Sequence, residues 1–294
     1  MSKAVYIHAG AHRTGTSSLQ MCLAQNRAVL EPLGYDLAYP GRDGIPDARL
    51  RLKLPRGNVS EDRLPGFADG IRRHLGRISP DPERALALSE ENIPGPMTHF
   101  YKGQFFPFAI SRFLAIAMAL EDRPRHILFV VRSYDELMVS GYRKWAEDNP
   151  VPSFAQFIPE FLKIKQGWPW VLRHLRDRLQ PEKLTVLPYE ARGSSVDLLR
   201  HLLPDLGAVD LQEPDRSLNL SATDKALEVL QARYHAGEQL ERPEWQAVIA
   251  EHADQRDNLG FARFDEGSRT QLRDKYQRDI NRIRRMPGIE FVDA

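Results

Sequence analysis

Short apolar runs alternate with helical periodicities along most of the chain. Val5-Tyr6-Ile7-His8 opens the series and is rich in β-branched and aromatic residues, which fit strands. Arg84-Ala85-Leu86-Ala87-Leu88-Ser89, His126-Ile127-Leu128-Phe129-Val130-Val131 and Leu184-Thr185-Val186-Leu187-Pro188-Tyr189-Glu190 are similar runs. The one from His126 to Val131 is apolar without alternation, the mark of a strand covered on both faces. Between these runs the apolar period changes to three and four. Leu19, Cys22, Leu23, Leu30 and Leu33 define a first helix, with Gly34 as its stop. Further helices are expected near Phe67 to Leu75, and over Ile110 to Glu121, Tyr134 to Glu147, Ser153 to Leu162, Trp168 to Leu179 and Val196 to Leu203.

Beyond Ser221 only helical periods remain, at Ala226 to Tyr234, Glu244 to His252 and Arg269 to Met286. Ser221 and Asp224 resemble a capping box. The last segment is so rich in both charges that it reads as a solvated face. Strands alternating with helices predict an α/β fold of three layers, a central parallel sheet flanked by helices, with a helical C-terminal part. No repeat, low-complexity tract or clear linker divides the chain, so residues 1–294 are read as one domain. Tyr39 to Gly70 and Pro94 to Phe108 show no period and read as long excursions, a kind of segment that often carries function.

The first strand leads into Ala9-Gly10-Ala11-His12-Arg13-Thr14-Gly15-Thr16-Ser17-Ser18. A strand, a glycine-bearing turn and a helix start form an anion site, because the first N–H groups of a helix lack intrahelical partners and point beyond its end. Glycines let the backbone curl close to the anion. Thr14, Thr16, Ser17 and Ser18 add hydroxyl donors, and Arg13 adds a fixed charge. Gly10 and Gly15 have the spacing of the G-x-x-x-x-G-K-[ST] loop of nucleotide triphosphatases, a P-loop, but Thr16 stands where that motif has lysine.

Composition narrows the partners. With 41 basic and 40 acidic residues the net charge is +1, which gives no footprint for nucleic acid or a polybasic membrane arm. Cys22 is the single cysteine, so no intrachain disulfide and no cysteine metal site can form, and core packing is its expected role. The longest apolar run, Phe113 to Leu120, is too short to span a bilayer. The first strand begins close to Met1, so no secretory signal is expected and a cytoplasmic location follows by default.

The strand ending at Val131 separates nucleotide classes. In many triphosphatases a later apolar strand ends in an aspartate that helps to hold Mg²⁺. Here it ends in Arg132, which repels a metal and attracts a phosphate. Ser140 and Gly141 lie on the following helix. At this point the chain resembles the PAPS-dependent sulfotransferases, where PAPS is 3′-phosphoadenosine 5′-phosphosulfate. The resemblance rests on His12-Arg13-Thr14-Gly15-Thr16-Ser17-Ser18-Leu19-Gln20, on Val131-Arg132-Ser133 and on Ser140-Gly141-Tyr142. Pro188-Tyr189-Glu190 and Asn219-Leu220-Ser221 are also similar to that family.

The resemblance implies that the first loop holds the phosphosulfate. It also implies that Arg132 and Ser140 hold the 3′-phosphate, that 3′,5′-adenosine bisphosphate (PAP) is the product and that no metal is required. The family has lysine at the position of Arg13. Arginine supplies the charge there but hardly a proton, since its pKa is above about 12. A Glu or His base is implied near the end of the second strand, with Glu91 favoured and Glu90 and His99 as further candidates. His12 flanks the loop as a candidate donor to the transferring group. The acceptor is a small molecule or glycan, with carbohydrate favoured by analogy.

Phe100, Tyr101, Phe105 and Phe106 are candidates to stack on a sugar, or else form a satellite cluster under a loop. Arg49, Arg51, Lys53 and Arg56 are candidates to meet an anionic acceptor, or else decorate a solvated loop. Two other readings stay open: a P-loop kinase of a small metabolite with Glu90 or Glu91 as a displaced metal-binding acid, and a nucleotide-binding module without catalysis.

Overall fold

A computed structural model describes residues 3–41, 44–214 and 222–293. The chain begins with β1 (Val5–His8), then α1 (Thr16–Gln25), the short α2 (Arg27–Leu30) and β2 (Tyr35–Ala38). The expected long first helix breaks at Asn26, whose side-chain amide donates to the Cys22 carbonyl at 2.8 Å. Gly34 (φ 89°) makes the turn into β2, a strand that the periodicity did not reveal. α3 (Leu64–Ile78) and β3 (Ala85–Ser89) follow, then α4 (Ala109–Ala119), β4 (His126–Val131) and α5 (Tyr134–Ala146). Next come α6 (Ile158–Lys163), α7 (Trp168–Leu179), β5 (Lys183–Pro188) and α8 (Ser195–Leu202). The chain closes with α9 (Asp224–His235), α10 (Arg242–Glu251), α11 (Glu266–Ile283) and the two-residue β6 (Glu290–Phe291), also unforeseen.

Among the described residues the strands form one parallel sheet in the order β2-β3-β1-β4-β5-β6. Alternate side chains of each strand enter opposite layers, as the period of two requires. Val5, Ile7, Leu86, Leu88, Ile127, Phe129, Val131, Leu184 and Val186 join the core under α3, α4, α5, α7 and α11. Tyr35, Leu37, Ala87, Leu128, Val130 and Leu187 join the core under α1, α2 and α8. All six residues of β4 are buried, which accounts for its unbroken apolar run. The sheet is therefore the middle of three layers. The strand order turns at β1, which lies between β3 and β4, and a crevice outside the carboxyl ends of the strands opens at such a point. No helix among the described residues is long and apolar enough to cross a membrane.

The structure corrects three side-chain expectations. Phe100, Phe105 and Phe106 are 0–1% exposed and stack on one another, on Tyr134 and on Trp168, so they belong to the main core rather than to an acceptor pocket. Tyr101 is also engaged inside, against Trp145, Phe157 and Phe161. The charge-rich α11 is solvated on one face only. Leu272, Tyr276, Ile280 and Ile283 are buried, and Asp135 on α5 accepts from Arg273 at 2.9 Å. A sparse apolar stripe among many charges hid this docking face. The helix after Ser221 is capped by Thr223, whose hydroxyl accepts from the Ala226 amide at 3.1 Å. Asn219, Leu220 and Ser221 lie outside the described residues.

Trp168 joins core to site. Its ring is fully buried against Phe105, Phe129 and Tyr134, and its indole N–H donates to the Arg132 carbonyl at 2.8 Å. Trp168→Phe removes ring volume and leaves that carbonyl without its donor, so we expect a loss of about 2–4 kcal/mol, read by urea unfolding. An unchanged midpoint would show that the indole holds nothing.

Candidate functional site

The loop after β1 does not leave the sheet at once. The Ala9 amide donates to the Leu128 carbonyl at 3.0 Å, and the Val130 amide donates to the Gly10 carbonyl at 3.0 Å. The backbone thus runs on along β4 while its other side abuts the end of β3. A methyl group at Gly10 (φ 89°) would come within 3.0 Å of the Glu91 backbone. Arg13 (φ 63°) and Gly15 (φ 90°) are left-handed, which curls the chain back into α1. Gly15 has no side chain with which to cap the helix, so the first N–H groups of α1 face the concavity of the loop.

Thr14 and Thr16 serve the loop itself. Both hydroxyls donate to the Ala11 carbonyl, at 2.7 and 3.1 Å, and both side chains are buried. They brace the curl from inside, so the expectation that they offer their protons to a ligand is corrected. Ser17 and Ser18 lie on the first turn of α1 and are partly exposed.

Positive charge converges on this loop. Arg13 Nε donates to Ser140 Oγ at 2.8 Å, which ties the loop to α5. Arg132 Nη1 donates to the Arg13 carbonyl at 2.9 Å, and Arg132 Nε reaches Glu136 at 3.3 Å. Arg132 and Ser140 therefore meet at Arg13 rather than standing apart from the loop. Burial pushes the Arg13 pKa down, and the nearby charge of Glu147 pushes it back up. A guanidinium stays charged through such a shift.

A further cation escaped the reading of the sequence. The Arg192 guanidinium lies over the Tyr189 ring, 5.1 Å from its centroid, and Arg132 lies 4.3 Å from the same centroid. A methyl group on Gly15 would come within 2.8 Å of Arg192 Nη1. Arg192 thus rests on the loop. Its only sequence signal was its place just after a strand that ends at the ligand-facing edge.

The opposite wall carries the carboxylates. His12 Nε2 donates to Asn92 Oδ1 at 2.8 Å, and His12 Nδ1 lies 3.4 Å from Glu91 Oε1. The Asn92 amide nitrogen in turn donates to Glu90 Oε1 at 3.0 Å, which orients its oxygen toward His12. Glu90 also accepts from the Asn92 backbone N–H at 2.9 Å and is 3% exposed. It holds the turn after β3, which removes it from the candidate bases. Glu91 faces the loop instead, half-buried beside an imidazole with which it can share a proton. His99 packs edge-on against Phe108, with its pKa lowered by burial and by Lys102 and Arg112.

The basic stretch before α3 ends near this wall. Leu50 and Leu54 turn inward, while Arg49, Arg51, Lys53 and Arg56 are exposed between and beyond them. Pro55 O and Asn92 O both accept from the Arg112 guanidinium, which fastens the stretch to the turn that carries Glu91. Comparison with protein-family models, with curated proteins and with solved structures returns no match. The chemistry of the site is therefore argued from its own atoms. It offers amide donors, guanidinium groups on one side and a carboxylate–imidazole pair on the other, which suits an anionic ligand of more than one charged group and a proton acceptor beside it.

Beneath the loop His8 is fully buried. Its Nδ1 pairs with Ser89 Oγ at 3.0 Å, while Nε2 has no partner among the described residues. Burial lowers its pKa from 6.5 to about 4. The folded state thus keeps the ring neutral where the unfolded chain takes up a proton. This contribution is full above pH 6.5 and is lost as the pH falls from 6.5 to about 4. It amounts to at most about 3 kcal/mol. In His8→Gln the fall in unfolding free energy over that window becomes shallower than in the parent protein. Parallel curves from urea titrations at each pH would refute the assignment.

Proposed function

We propose that this protein transfers a sulfuryl group from PAPS to an acceptor hydroxyl. The observation that carries the reading is Arg132 at the end of β4, bonded to the loop at the Arg13 carbonyl where a metal-using triphosphatase presents an acid. The donor set fits a doubly anionic nucleotide. The α1 amides and Arg13 suit the phosphosulfate, while Arg132 and Arg192, with Tyr189 between them, suit a second phosphate. When bound, PAPS supplies the sulfuryl group and an anionic leaving group.

The chain's own work is positioning and charge. Transfer of this kind needs an in-line approach and stabilisation of the charge that develops on the leaving side. Arg13 supplies that charge, fixed by its bond to Ser140, and does so without giving up a proton. Glu91 takes the proton of the attacking hydroxyl, and the neighbouring His12 Nδ1 can share that proton afterwards. Glu90 holds the turn that presents Glu91. In this reading the product is 3′,5′-adenosine bisphosphate and no metal takes part.

Calorimetry without Mg²⁺ tests the nucleotide. We expect 3′,5′-adenosine bisphosphate to bind, and Arg132→Ala to weaken it by tenfold or more while affecting AMP less. Preference for Mg-ATP would favour a small-metabolite kinase and end the sulfotransferase reading. A second test separates binding from turnover. Glu91→Gln is expected to bind the bisphosphate as the parent does and to lose about a hundredfold or more in transfer of labelled sulfate. Binding without transfer to any acceptor in a broad screen, carbohydrates included, would leave a nucleotide-binding module.

A further inference from the structure

A second concentration of positive charge lies away from the loop, between α7 and α11. Arg278 and Arg282 lie four residues apart on α11 and so share a face, and Arg285 follows two residues past the end of that helix. Arg173 on α7 stands opposite, and the four line a groove of about 570 Å³. Arg176 also lines it, donating to the Pro287 carbonyl at 2.6 Å and pairing with Asp177 at 2.7 Å. An adjoining hollow of about 430 Å³ shares Arg173 and Arg282 and adds Lys163, Lys165, Trp170 and the carboxylate of Asp279, which is already paired with Lys275.

The other basic residues of α11 and of its C-cap behave differently. Arg269 and Arg273 pair with Asp135, Lys275 pairs with Asp279, and Arg284 pairs with Asp293. Among the described residues, Arg173, Arg278, Arg282 and Arg285 have no carboxylate within ion-pair distance. The chain as a whole carries 40 acidic residues against 41 basic ones, so acids were not scarce. The four side chains are exposed, so water and salt screen their mutual repulsion to a modest cost, which an anion bound among them removes.

Size and charge define the occupant. The groove falls within the range of small-molecule sites, about 300–1,000 Å³. Arg278 and Arg282 stand about 6 Å apart along the helix axis, while Arg285 lies past the end of α11 and Arg173 on α7, so the four guanidinium groups offer room for more than one anionic group. A phosphate monoester carries about −1.5 to −2 charge and accepts bidentate guanidinium forks. Two such groups balance four arginines. The near-zero net charge offers no long-range field to gather a nucleic-acid strand.

We propose that the groove between α7 and α11 is a binding site for a small organic bisphosphate, separate from the nucleotide loop. The probe is fructose 1,6-bisphosphate, with fructose 6-phosphate as the single-phosphate control, by calorimetry at matched ionic strength. One equivalent of the bisphosphate is expected to bind in the parent protein and equally in Arg13→Ala/Arg132→Ala. The affinity should fall tenfold or more in Arg278→Gln/Arg282→Gln, and fructose 6-phosphate should bind at least tenfold more weakly. Without ligand, the Arg278→Gln/Arg282→Gln protein should unfold at the same or a higher temperature, because repulsion has been relieved.

Three results would overturn the proposal. They are absence of saturable binding, binding lost in the loop variant and kept in the groove variant, and a lower unfolding temperature of the unliganded groove variant. Groove-dependent binding of a single-stranded oligonucleotide without binding of the bisphosphate would overturn it too. The sulfotransferase reading is tested separately, by the adenosine bisphosphate and the loop variants, and stands or falls independently of whether the groove binds.

Discussion

Parallel pairing of β1 between β3 and β4 is the constraint on which the site depends. In a parallel sheet every strand ends at the same edge, so the segments that leave β1, β3, β4 and β5 all emerge together. Three hydrogen bonds past the end of β1 carry the loop on along β4, and close approach at Gly10 seats it against the Glu91 backbone. The loop is thereby wedged between two strand ends. One of these ends carries a guanidinium and the other a carboxylate. Their separation is set by the width of the sheet, not by flexible side chains.

Charge at this edge is divided by side. Arg13, Arg132 and Arg192 meet around the concavity, and each is held by a specific contact: Ser140, the Arg13 carbonyl and the Tyr189 ring. Glu91 stands across from them with His12 beside it. Arginines brought this close repel one another in the absence of an anion. The structure accepts that cost because the loop hydroxyls, the Trp168 indole and the Tyr189 ring fix the geometry from behind. The same logic at smaller scale governs Glu90, which is buried and gains its hydrogen bonds from the turn that it holds.

Much of the fold was legible from periodicity. β4 and α7 match their expected ranges, and the glycine-bearing turn meets a helix start where the spacing placed it. β2 and β6 were not legible. β2 is four residues long and its Asp36 interrupts the apolar run, because that side chain is tied to Ser79 and Arg84 at the sheet edge. β6 is two residues, too short to show any period. At the site, Arg13, Arg132, Ser140 and Glu91 were named from the chain and Tyr189 only as part of a similar segment without a role, while Arg192 took its place only through folding. A residue that approaches a loop from a distant strand end leaves no local spacing to read.

What the chain by itself determined is the α/β alternation and the chemistry available at the end of each strand. A strand, a left-handed glycine and a helix start are local features, governed by neighbouring residues. What only the tertiary structure decided is which of two adjacent carboxylates faces the loop, which hydroxyls brace it, and that the aromatics of residues 100–106 fill a core. It also decided that arginines from α7 and α11 share a groove. Those outcomes depend on which groups remain after burial and hydrogen bonding are satisfied across the sheet, and that balance is struck between segments far apart in the chain.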